Sequence, residues 1–136
     1  MHRELHGSEM LRARYRASAA LQRTSGRSYL ELEHELEPEI AGDLSLVVHF
    51  FERLWIAVDH HAIAREHVTR LFGSTFHWWY EATFRAQFVP LSTEVSRSIQ
   101  LLREWMVRNA SAEQIEEWRS SNEQWLHPIN PAADGA

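Results

Sequence analysis

The stretch Leu44-Ser45-Leu46-Val47-Val48-His49-Phe50-Phe51-Glu52-Arg53-Leu54-Trp55-Ile56-Ala57-Val58 decides the fold of this 136-residue chain. Wound at about 100° per residue, Leu44, Val47, Val48, Phe50, Phe51, Leu54, Trp55 and Val58 cover more than half of a helix circumference. A helix that apolar belongs in the middle of a bundle, packed by neighbours on several sides. Asp43 is expected to cap it after a break at Pro38 and Gly42. Ser45, His49, Glu52 and Asp59 form its narrow polar strip.

The flanking segments read as further helices. Upstream, Ser8 to Arg23 carries a small-residue stripe of Ala13, Ala17 and Ala20 with Met10 and Leu21, while Arg12, Arg16 and Arg23 fall opposite. Ser28 and Glu31 form a capping box for a short helix with Tyr29, Leu32 and Leu36 on one face. Downstream, a short helix through Val68, Leu71 and Phe72 is expected to stop at Gly73, a favourable residue just past a helix end. Ser74 or Thr75 then opens an aromatic helix that runs to Val89, before Pro90. Ser92 opens the next, striped by Val95, Ile99, Leu102, Trp105 and Met106. Ser111 and Gln114 box the start of a last helix with Ile115, Trp118, Trp125 and Leu126 along one side, ending at His127-Pro128. The fold expected is all-α, a compact bundle of about five or six helices in one domain over residues 1–136, with 1–7 and 128–136 loose.

Composition narrows the function. The net charge is −5, and all 14 basic residues are arginine. The basic start (six Arg against two acids in residues 1–27) is followed by six acids and no Arg in 28–43. No clustered basic run is present to neutralise phosphates along a nucleic acid. With no Cys there is no disulfide, thiolate metal site or cysteine nucleophile. No segment reaches the roughly 18 apolar residues of a spanning helix, and the first residues do not read as a signal peptide, so the cytoplasm is the expected location.

Ser8-Glu9-Met10 leading into Ala13-Arg14, then Phe50-Phe51-Glu52-x-Leu54, Leu71-Phe72-Gly73 and Trp78-Trp79, resembles an uncharacterised bacterial family of small helical domains of unknown function. Members of that family often follow a membrane tether. The likeness spans roughly residues 8–106. His49 stands where the family pattern has Asn or a small residue, and His60-His61 is no family mark. The resemblance implies a helical fold and transfers no site, because the family has no assigned activity.

Nine histidines raise the question of a metal. Glu31-x-x-His34 has the spacing that places two ligands on one helix face, yet a di-iron bundle needs two such units and further inward carboxylates. His49, Glu52 and His77 are the remaining weak candidates. His49 and Glu52, three residues apart on the central helix, are read as a buried polar pair of structural use. No Gly-x-Ser-x-Gly, phosphate loop or His-Glu-x-x-His is present, so no catalytic role and no cofactor is assigned.

The aromatic helix carries the candidate partner site. Phe76, Trp79, Tyr80, Thr83 and Phe84 share one face, and Trp78 lies about 160–200° from Phe76 and Tyr80, beside Glu81 and Arg85. Either the Trp118/Trp125 helix covers Trp78, or Trp78, Glu81 and Arg85 form an exposed interface of the kind where Trp and Arg dominate binding. The expected function is a non-enzymatic protein–protein interaction or assembly domain, acting on a protein partner or as a homo-oligomer. The alternatives are a metal- or small-ligand-binding bundle using His and Glu of the central helices, and a peripheral membrane domain using the Arg12/Arg16/Arg23 stripe.

Overall fold

A computed structural model describes residues 1–23, 38–84 and 93–126. They form six α-helices: α1 (His2–His6), α2 (Ser8–Arg23), α3 (Pro38–Asp59), α4 (Arg65–Trp79), α5 (Thr93–Asn109) and α6 (Ala112–Leu126). A π-helical turn, Tyr80–Phe84, continues α4. No strand occurs among the described residues, and the chain is an all-α bundle.

The central helix starts earlier than its sequence suggests. Pro38 occupies its first turn, where the missing N–H has no intrahelical partner to lose. Gly42 lies inside the helix and does not break it. Asp43 is therefore no cap: it sits in the body of α3, buried, and meets Arg16 of α2. The Ser28/Glu31 box, its short helix and the Glu31/His34 pair fall outside the described residues.

On α2 the expected small-residue stripe is the packed face. Met10, Ala13, Ala17 and Ala20 are buried, and the short side chains let α2 lie along α3. Ahead of it, the expected loose start is instead a helical turn. Leu5 is fully buried, Glu4 pairs with Arg53 of α3, and Arg14 donates to the Leu5 carbonyl at 3.1 Å. One anchoring leucine and two arginines hold this turn down.

Gly73 also reads differently in three dimensions. The expected stop is absent, and one continuous helix runs from Arg65 through Gly73 to Trp79. A Cβ at Gly73 would lie 2.7 Å from both Cε2 and Cη2 of Trp118 and nearer still to Cζ2. The glycine is thus a seat for the indole of α6, and helix propensity yields to that contact. Beyond Trp79 the wider π turn matters. Five residues of α-helix would leave Trp79 and Phe84 about 140° apart, whereas here their rings stack with centroids 6.2 Å apart.

The core is built from these aromatics. Phe51 meets Phe50, Phe76 and Phe84 edge-on at 5.3, 5.2 and 6.0 Å between centroids, contacts worth about 0.5–1.5 kcal/mol each beyond their buried area. Ile99, Leu102 and Met106 of α5 are buried against them, as their stripe predicts. The capping box of α6 forms as expected: Gln114 N donates to Ser111 Oγ at 3.1 Å and Ser111 N to Gln114 Oε1 at 2.9 Å.

Candidate functional site

Among the described residues, four groups bear first on function. The first is His49 and Glu52. Their spacing does bring them together, with Nδ1 3.5 Å from Oε1, but the side chains are 56% and 23% exposed. The expectation of a buried pair is corrected: the polar strip of α3 opens to solvent. A surface pair of this kind contributes about 0–1 kcal/mol.

The second group surrounds the junction of α4 with the π turn. His77 is half-buried, its ring centroid 6.1 Å from that of Trp118. Burial, then the charge of Arg103, pushes its imidazole below the ordinary value, with Glu81 pulling the other way. Glu81 faces Arg103 of α5, Oε1 to Nη2 at 3.4 Å. The Arg103 guanidinium also lies 4.9 Å from the centre of the Tyr80 ring, a cation–π contact. Glu81 is therefore tied to the neighbouring helix. Arg103 is the residue the sequence reading missed; its signal is an arginine directly beside Leu102 and four residues after Ile99, at the edge of an apolar stripe.

Trp78 takes neither of the two expected positions fully. It is half-buried against the core, its ring edge-on to Trp79 at 5.1 Å. The indole that comes from α6, Trp118, rests on Gly73 and near His77. Arg85 lies outside the described residues, as does the side chain of Trp125. Among the described residues no three His, Cys, Asp or Glu converge as metal ligands, so His49, Glu52 and His77 do not come together.

The third group is the arginine stripe of α2. Arg16 is not part of a solvated stripe: its Nη2 donates to Asp43 Oδ1 at 2.9 Å, its Nε lies 2.8 Å from Oδ2 without hydrogen-bond alignment, and it also meets Glu39. The basic segment and the end of the acidic segment thus face each other at this point. No helix among the described residues is long and apolar enough to cross a membrane.

The fourth group lies opposite the alanines of α2. Leu11 and Tyr15, one turn apart, are 45% and 76% exposed, with Arg12 exposed between them in sequence. A helix with a packed small-residue face and a second, outward apolar pair has two surfaces, and among the described residues the packing is on the alanine face. This pair was readable on the helical wheel, about 180° from Ala13 and Ala20. No family model, curated protein or solved structure matches the chain.

Proposed function

We propose that this chain is a non-enzymatic helical interaction or assembly domain that docks on a protein partner or a second copy of itself. The observation that carries the reading is the outward face of α2, where Leu11 and Tyr15 lie exposed one turn apart beside Arg12. Tyr and Arg are among the residues that dominate binding energy at interfaces, and an i, i+4 pair is the usual anchor spacing of a helix laid against a surface. The half-buried Trp78 supplies a second aromatic anchor on another side of the bundle. The charged groups at the α4–α5 junction are engaged with each other, which suits a scaffold better than a reaction centre.

Sedimentation of the full chain at concentrations up to about 100 µM, alongside Tyr15→Ser and Trp78→Ala, tests this. Self-association is expected, weakened at least about tenfold by Tyr15→Ser and less by Trp78→Ala. A wild-type chain that stays monomeric, or a Tyr15→Ser variant that associates equally well, counts against the α2 face as a self-association surface.

A further inference from the structure

At the other end of the bundle, α4 begins where α5 turns into α6, and the three segments enclose an open depression of about 540 Å³, within the size range of small-ligand sites. Arg65 and Arg70 enter it from the first turns of α4, and Arg108 from the last turn of α5. All three are exposed, and none has an ion-pair partner among the described residues. One carboxylate, Glu66, shares the lining, which leaves an arginine excess in a chain whose net charge is −5.

Of the remaining polar side chains, Thr69 spends its hydroxyl hydrogen on the Glu66 carbonyl at 3.3 Å, and three others keep donors to spare. Ser111 Oγ and Gln114 Oε1 accept each other's backbone N–H in the capping box, so the Ser111 hydroxyl and the Gln114 amide N–H groups are left to donate. Asn109 spends one amide hydrogen on the Trp105 carbonyl and keeps the other. The two helix starts beside the depression are built in opposite ways. α6 has its box, whereas α4 follows Ala64, which offers no side-chain cap, and opens on Arg65. A cation at the positive end of a helix dipole is unfavourable for stability, and Glu66 in the same first turn offsets it.

We infer that this depression binds a small phosphorylated ligand, whose dianion is held by Arg65, Arg70 and Arg108 in charge-assisted hydrogen bonds. The site lies on elements other than α2, and it stands independently of the proposed interaction face. The shared chemistry is a phosphate ester, carried either by a soluble small molecule or by a lipid headgroup.

Calorimetric titration of the full chain with inorganic pyrophosphate tests the site. Saturable binding with a dissociation constant below about 1 mM is expected. Arg70→Gln/Arg108→Gln should weaken it at least tenfold, and Arg65→Gln, as an independent single variant, should weaken it in the same direction. Arg12→Gln on α2 should leave it unchanged. Absence of saturable binding by the wild-type chain, or equal binding by the double variant, overturns the inference. Flotation with vesicles of phosphatidic acid in phosphatidylcholine, compared with phosphatidylcholine alone, separates the sources. Arginine-dependent flotation assigns the headgroup, and pyrophosphate binding without flotation assigns a soluble phosphate ester.

Discussion

Two of the helix pairs in the bundle pack by opposite means. α2 lies on α3 through a ladder of small residues, Ala13, Ala17 and Ala20, with the Arg16–Asp43 ion pair at its edge. α6 lies on α4 through one large residue, Trp118, pressed onto one absent side chain at Gly73. The first contact is distributed, so each position contributes little and the whole is set by spacing. Among the described residues the second is concentrated, with one pair of positions, Trp118 and Gly73, in the closest contact.

The largest expected effect follows directly. Trp118 is 6% exposed and lies in the hydrophobic core. Trp118→Ala should lower stability by about 3–5 kcal/mol, the range for a core tryptophan, read from urea denaturation. Ala17→Gly on the other interface should cost only about 1 kcal/mol, chiefly helix propensity. Similar losses from the two changes would break the contrast between a concentrated and a distributed contact.

A double-mutant cycle sharpens it. Gly73→Ala places a methyl group inside the indole, and displacing the ring should cost about 1–3 kcal/mol even though alanine favours the helix by roughly 1 kcal/mol. Once Trp118→Ala has emptied the seat, the same Gly73→Ala change should become stabilising by up to about 1 kcal/mol. That reversal of sign is a coupling between two touching positions. Gly73→Ala that stabilises in both backgrounds would show that the indole rests elsewhere.

This seat explains what sequence can and cannot reveal here. The stripes of α2 and α5 and the Ser111/Gln114 box are local: the spacing of Ala13, Ala17 and Ala20, or of Ser and Gln, contains the answer. Gly73 and Asp43 are not local. A glycine after Leu71-Phe72 and an aspartate before an apolar run look like a stop and a cap, and both are contacts to other helices, Trp118 and Arg16. Leu5 was missed because five residues carry too little periodicity to register. Of the site residues, the meeting of Glu81 with Arg103 and the convergence of Arg65, Arg70 and Arg108 join positions 22 or more than 35 apart, a relation that no window of sequence displays.

The two interfaces should also differ in their response to acid. His77 lies beside Trp118, and burial, then Arg103, holds its pKa below the ordinary value, opposed by Glu81. The unfolded chain therefore takes up a proton there near pH 6.5, before the folded chain does. The stability this residue contributes is complete above that pH and is lost as pH falls through the lower folded-state value. His77→Gln should flatten the decline in urea midpoint between about pH 7 and about pH 5. An unaltered slope would place the acid sensitivity away from the α4–α6 contact.

The smallest effect expected lies in the joint between the two pairs, the turn from α3 into α4. His61 has φ of 56°, the left-handed conformation that glycine adopts freely and other residues adopt at about 1–2 kcal/mol. Its place is fixed by the way α3 ends. Ala62 N donates to the Ala57 carbonyl at 2.8 Å and His61 N to the Val58 carbonyl at 3.0 Å, the paired closure that puts a left-handed residue just past a helix end. His60 adds a third closure, its Nδ1 donating to the Ile56 carbonyl at 2.8 Å. The exposed His61 side chain is not needed for any of these bonds. His61→Gly should thus relieve the backbone at little loss of contact, offset in part by glycine's greater freedom when unfolded, for a net gain of about 0.5–1 kcal/mol. The thermal midpoint should rise by a few degrees, whereas His61→Val, branched at Cβ, should lower it. If His61→Gly lowers the midpoint instead, the imidazole makes a contact that outweighs its strain, and the joint between the distributed and the concentrated interface is held by that side chain and not by its backbone.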